Sequence, residues 1–259
     1  MALYILIGAM GLATGFLSGL LGIGGGIIMA PLLLYVPPLF GFAALPMRVV
    51  AGLTIIQALV ACVSAGLIHK KFNLVSGKLT IWMGGAIFVA ALAGGAGSGF
   101  VANSMLLAIF AGLALVASIL LFVPNPEDSE HPDVACFSFS RLRAVASAGA
   151  VGLLGGLVGQ GGSFILIPVM ISYVNVPTRI AIGSNLAIVF LSSLAAFIGK
   201  AATGQIEWFM AVPIVLSVAP AAWLGGLASR HVSIVGLRRL LAAVIGLAAI
   251  RIGFSVFIG

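Results

Sequence analysis

Twice in this chain a long apolar run is interrupted by a cluster of glycines and, soon after, by a proline: GLLGIGGGIIMAPLL at residues 19–33 and GLVGQGGSFILIPVM at residues 156–170. In hydrocarbon an unpaired backbone N–H or C=O costs several kcal/mol, so irregular backbone at that depth survives only where protein buries it or where it lines a wet cavity. Each break is therefore protected or used. The two are also copies. Gly15, Gly19, Gly22, Gly24, Gly25 and Pro31 fall on Gly152, Gly156, Gly159, Gly161, Gly162 and Pro168, at an offset of 137. The first copy has a longer loop, YVPPLFGFAALP, beyond which the offset is 131; Arg48 then matches Arg179, Gly52 matches Gly183, Thr54 matches Asn185, and AGG at 93–95 matches LGG at 224–226.

Composition says where such breaks must lie. Of 259 residues, 62% are hydrophobic and 7% charged, and the mean hydropathy is +1.31, which leaves too little polar surface to cover a soluble domain. Windows long enough for a span cover 3–36, 49–68, 79–101, 106–123, 142–174, 180–198, 208–227 and 232–258. The chain is expected to be an all-α polytopic membrane protein at the cell inner membrane. Its first residues, MALYILIGAM, carry no Lys or Arg and run into a segment longer than a signal peptide, so they are expected to be a mature span with nothing cleaved. Cys62 lies in mid-span and Cys136 in a loop, a spacing that supports neither a metal site nor a disulfide. The net charge of +7 comes from basic residues flanking the spans, where positive charge orients membrane proteins, so it does not point to nucleic acid.

The repeat divides the chain into residues 1–123, a linker at 124–143 holding four of the five acidic residues, and residues 144–259. If the glycine-broken segment crosses once, the halves are parallel and basic residues divide six against five between the faces. If it turns back at the glycines, Lys70, Lys71, Lys78, Arg141, Arg143, Arg179, Arg230, Arg238 and Arg239 share one face, with Arg48 and Lys200 on the other. Nine against two is the positive-inside pattern. The expected architecture is two inverted repeats, each a glycine-broken helical hairpin followed by three transmembrane helices, with both termini outside and the acidic linker in the cytoplasm.

Short helices beginning near Gly25 and Gly162 would direct their free N–H groups at the breaks. A helix N-terminus carries about half a positive charge and offers open donors to an anion. Inverted repeats bring two such ends together near the midplane, where transporters place substrates. Two ends at about +0.5 each suit a monoanion. No Lys or Arg inside a span is expected to add charge; Arg251 is the exception and lies close enough to the C-terminus to snorkel outward. The backbone expected to meet substrate is Gly24, Gly25, Gly26, Gly161 and Gly162. The side chains expected to complete the site are Thr54, Gln57, Gln160, Ser163, Ser184 and Asn185, whose hydroxyls and amides donate to oxyanions without bringing charge into the membrane. Intramembrane Ser, Thr and Asn also pin helices together, and Gly8, Gly11, Gly15, Gly19, Gly152 and Gly156 fit close helix packing better than a site.

At these residues the chain resembles the TauE/SafE family of sulfite exporters, also called TSUP. The duplicated glycine motifs, the Gly52-Leu53-Thr54 and Gly183-Ser184-Asn185 positions, and the glycine pairs at 94 and 225 carry the resemblance, which covers essentially the whole chain. It implies movement of small sulfur-containing anions such as sulfite and organosulfur compounds across bacterial inner membranes. Gln160, where the first copy has Ile23, departs from the symmetry.

A potential negative inside is worth about 2.3 kcal/mol per charge per 100 mV, so a monoanion can leave without a coupled ion. Uptake would need a proton relay, and Glu207, at the start of a span, is the one carboxylate outside the linker. Export is therefore the primary expectation, with a proton-coupled importer or a channel as alternatives. An intramembrane enzyme is not expected: there is no H-E-x-x-H, no pair of membrane aspartates and no histidine at depth, since His69 and His231 abut basic loops and His131 lies in the linker. No cofactor is implied. The expected partners are the anion and the bilayer, and a homodimer is left open.

Overall fold

The computed structural model describes residues 1–24, 26–71, 75–121, 139–160 and 162–229, with His231, Gly236, Arg239 and Ala243. Among these residues all regular structure is helical: α1 (Ala2–Leu21), α2 (Gly26–Leu39), α3 (Met47–Lys71), α4 (Gly77–Gly97), a 3-10 turn (Ser98–Phe100), α5 (Asn103–Leu121), α6 (Arg141–Val158), α7 (Ser163–Ser172), α8 (Thr178–Ala202) and α9 (Trp208–Ser229). Most of the linker falls outside the described residues, but Arg141 and Arg143, assigned to it above, form the first turn of α6 instead. Ser140 precedes them in extended conformation, the ordinary entry to a helix.

Among the described residues six helices, α1, α3, α4, α6, α8 and α9, are long and apolar enough to cross a membrane. The 14 residues of α2 and the 10 of α7 rise about 21 and 15 Å, short of the roughly 30 Å hydrocarbon core. Large apolar side chains such as Ile5, Ile81, Val89, Phe209 and Leu216 face outward, as a lipid-facing surface requires.

Inside, small residues let backbones touch. Gly15 lies against Val218 and Ala221, Gly19 against Ala222 and Gly226, so α1 and α9 run side by side in the same direction. Gly152 lies against Ile87, Gly156 against Ala91 and Gly95, so α4 and α6 do the same. Such small-residue contacts replace the hydrophobic force that lipid does not supply between helices. The long helices α3 and α8 run in opposite directions: Gly66 sits beside Leu186, whereas Arg48 at the start of α3 and Lys200 near the end of α8 both bond the Ser98–Phe100 turn.

Candidate functional site

Each glycine break begins with a left-handed residue closing a long helix. Gly22 (φ 67°) follows α1, with its N–H bonded to Ser18 O at 2.8 Å. Gly159 (φ 75°) follows α6; its N–H reaches Gly156 O at 3.3 Å, and the Gln160 N–H reaches Gly155 O at 2.9 Å. That pair of bonds is the Schellman closure, which satisfies the last carbonyls of α6 and needs glycine because a Cβ disfavours this conformation. Both turns also press on the long helix of the other half. A Cβ on Gly22 would stand 2.8 Å from Ile182 O, and one on Gly159 2.5 Å from Ala51 Cα.

One turn further along those helices stand Asn185 and Thr54, each the eighth residue of a 25-residue helix. The Asn185 amide donates to Gly22 O and, at 3.3 Å, to Ser163 O. Both partners are carbonyls, so the amide must present its NH₂ to them, and its Oδ1 is left without a partner. The Thr54 hydroxyl lies 2.9 Å from Gly159 O, closer than its own helix's Val50 O (3.0 Å) and Ala51 O (3.2 Å). Matched residues thus make crossed bonds, each half holding the break of the other. The breaks also meet directly. Gln160 Nε2 donates to Thr54 Oγ1 at 3.4 Å, and Gln160 Cδ lies 2.8 Å from where a Cβ on Gly26 would stand. Gly24 approaches Ser163, whose Cβ would be 3.2 Å from its own.

Of the side chains expected at the site, Thr54, Gln160, Ser163 and Asn185 gather at the breaks with Gly24 and Gly26, and Gly162 (φ 73°) precedes α7 as its N-cap. Gln57 lies one turn beyond Thr54 but donates to Thr14 Oγ1 on α1 at 2.9 Å. Ser184 points elsewhere, accepting from the Ser76 N–H ahead of α4 at 2.9 Å. Gly25, Gly161 and Arg251 lie outside the described residues. Thr54, Gln57, Gln160, Ser163 and Asn185 are fully buried, and Gln57 Oε1, Gln160 Oε1 and Ser163 Oγ, like Asn185 Oδ1, have no partner.

Two further residues belong to this region and a third borders it. Thr14 and Ser18 precede Gly22 by two turns and one turn of α1, a helical spacing readable in the sequence; Ser18 Oγ is buried and unpartnered. Lys200, expected in an outer loop, lies instead in the last turn of α8, fully buried, and reaches Leu157 O near the end of α6 at 3.5 Å. It corrects the expectation that no lysine enters the spans. It also alters the charge count. The breaks bring together not just the positive starts of α2 and α7 but the negative ends of α1 and α6. Donation from Asn185, Thr54 and Lys200 to carbonyls at those negative ends offsets them.

Two open apolar grooves, about 390 and 380 Å³, run between helices; the first is lined by Cys62, Gly183 and Phe190, the second by Ile56, Phe197 and Trp208. Among the described residues no cluster of His, Cys, Asp or Glu could hold a metal.

A family model described as "Sulfite exporter TauE/SafE" matches residues 7–252. The chain is 26% identical to "Probable membrane transporter protein YunE" of Bacillus subtilis, over 86% of each chain. It is 28% identical to "Probable membrane transporter protein" of Xylella fastidiosa, over 98% of this chain and 95% of the relative, and 24% identical to "Probable membrane transporter protein MJ0441" of Methanocaldococcus jannaschii, over 92% and 90%. No solved structure matches.

Proposed function

The chain belongs to the sulfite exporter TauE/SafE family and is a multi-pass membrane transporter, not an enzyme; from that premise we propose that it moves small sulfur-containing monoanions, such as sulfite or organosulfonates, outward by alternating access. The anion is held where the two glycine breaks converge, by the first-turn amides of α2 and α7 with Gly24, Gly25, Gly26, Gly161 and Gly162, and by Thr54, Gln160, Ser163 and Asn185. Gln57 and Ser184 act from the second rank, one bonded toward α1 and the other toward α4.

Inverted repeats are supported by helix directions. The equivalents α3 and α8 are antiparallel, and the short connection at 203–207 returns the chain so that α9 runs with α3. Since α1 runs with α9, it runs with α3 too, and α2 between them must come back: the first break reverses the chain. On that path the described Lys70, Lys71, Lys78, Arg141, Arg143 and Arg179 fall at one end, and Arg48 and Lys200 at the other with the start of α1. Apposed inverted halves are the usual basis of alternating access around a fixed central site.

The observation that carries the reading is the crossed pair of bonds, Thr54 to Gly159 O and Asn185 to Gly22 O. These offset carbonyls at the closing ends of α1 and α6 that would otherwise repel an anion. Of the unpartnered groups there, the Ser163 hydroxyl carries a donor that can turn toward the anion while both crossed bonds stay in place. The inside-negative potential drives a monoanion outward about fifty-fold per 100 mV, without a proton relay.

Proteoliposomes loaded with ³⁵S-sulfite test this. Efflux under an inside-negative potential is expected, and Thr54→Ala and Asn185→Ala each lower it about tenfold, the loss of about 1.4 kcal/mol of stabilisation. Strictly proton-dependent inward uptake, or efflux indifferent to both substitutions, overturns the reading.

A further inference from the structure

We infer that Arg48, Lys200 and the Ser98–Phe100 turn form a second anion-binding station, distinct from the breaks, that takes a small oxyanion or sulfonate where α3 begins and α8 ends. The inference rests on the transport reading for the station's role, but its geometry stands alone. The Lys200 ammonium is buried and donates to Ser98 Oγ at 2.7 Å and Leu157 O at 3.5 Å, both neutral. An ammonium has three donors, and among the described residues nothing accepts the third. Arg48, exposed in the first turn of α3, spends one of its five N–H groups on Gly99 O at 2.8 Å. The two side chains are thus tied to consecutive residues of one turn, close enough for the Arg48 charge to act on Lys200.

No carboxylate among the described residues pairs with either cation. A buried, unpaired charge inside a membrane protein, as Lys200 is, marks substrate and ion paths, because desolvating it is costly. The side chains hydrogen-bonded around them carry no negative charge. Ser98 passes its hydrogen to Gly95 O (2.7 Å) or Gln205 Oε1 (2.9 Å), and Gln205 Nε2 donates to Thr203 Oγ1 at 2.6 Å. The unspent charge of the cluster is cationic, which suits an anionic ligand. Capping the end of α6 accounts for Lys200 but not for a second cation beside it.

The repeat sharpens the point. At the offset of 131, Arg48, Ser98 and Lys200 correspond to Arg179, Ser229 and His69. Ser229 Oγ bonds Gly226 O at 2.8 Å just as Ser98 bonds Gly95 O, so the serine has been kept in place at both ends while permanent charge at the third position is peculiar to this one. Leu157 lies two residues before Gly159, so the station borders the second break and can pass an anion between that break and the face away from the basic loops.

Arginine-specific modification tests the station without reference to transport. The purified full chain is treated with phenylglyoxal in methanesulfonate or in chloride of equal ionic strength, and modification is followed at Arg48 and, as control, at Arg141, which stacks over Trp82 at the other end. Methanesulfonate at ten times its Kd is expected to slow Arg48 modification about tenfold and leave Arg141 unchanged. Lys200→Met abolishes the protection, and Thr54→Ala with Asn185→Ala leaves it intact. Equal rates at Arg48 in both anions overturn the station, as does protection that persists in Lys200→Met; if that variant does not fold, the wild-type comparison still decides. Protection of Arg48 in a chain that shows no sulfite efflux upholds the station and removes the transport reading alone.

Discussion

Gly159→Ala isolates the contact by which the second break leans on α3. Two costs follow from the geometry. The left-handed conformation at φ 75° disfavours any Cβ by about 1–2 kcal/mol. The added methyl would also stand 2.5 Å from Ala51 Cα and 2.6 Å from Ala51 C, backbone atoms that cannot rotate away. Ordinary carbon contacts are about 3.5–4.0 Å, so α3 and α6 must part by about 1 Å. Overpacking of this kind costs about 1–3 kcal/mol. That separation stretches the 2.9 Å bond from Thr54 to Gly159 O beyond hydrogen-bond range, for about 1 kcal/mol more. The sum is about 3–6 kcal/mol. Gly41→Ala is the matched control: its φ is 81°, yet nothing lies within 4 Å of its Cβ position, so it carries the backbone cost alone. Unfolding by SDS in mixed micelles, followed by tryptophan fluorescence, should separate the two variants by about 2 kcal/mol or more. Equal destabilisation would refute the claim that Gly159 is fixed by its contact with the other half.

Two other outcomes follow from the fold. Gly41 and Gly77 are exposed at opposite ends of the α3 path, so in cells Gly41→Cys should react with a membrane-impermeant maleimide and Gly77→Cys should react only after permeabilisation; labelling of both from one side would break the inverted topology. Cys62 is buried beside the roughly 390 Å³ groove between α3 and α8, and in a Cys136→Ser background its alkylation should be slow without substrate and faster during sulfite turnover; a rate unchanged by sulfite would mean that α3 and α8 do not part there.

Much of the architecture was legible because the membrane removes alternatives. With hydrocarbon outside, every backbone group must be paired within helices, so apolar windows became helices, and a glycine cluster within one could only be a protected break. Matched offsets identified Thr54 and Asn185 as equivalent positions before any contact was known. The sequence did not reveal what they bond. Beyond the ligand-facing role expected of them, each caps the negative helix end of the opposite half in the fold, because crossing partners are set by how the halves interlock rather than by spacing along one strand of sequence. Ser184, adjacent to Asn185, rotates by a helical step onto Ser76, a direction the linear pattern did not fix.

The sequence by itself determined the membrane setting, the duplication and the positions of the breaks, since each follows from hydropathy, repeat offset and residue count. Tertiary structure alone decided that the breaks touch, that α3 and α8 oppose each other, and that Lys200 leaves its expected loop to lie buried near Arg48. The physical reason is range: solvation and backbone pairing act on a segment wherever it sits, whereas a hydrogen bond or a pair of charges counts only when residues distant in sequence come within a few ångströms.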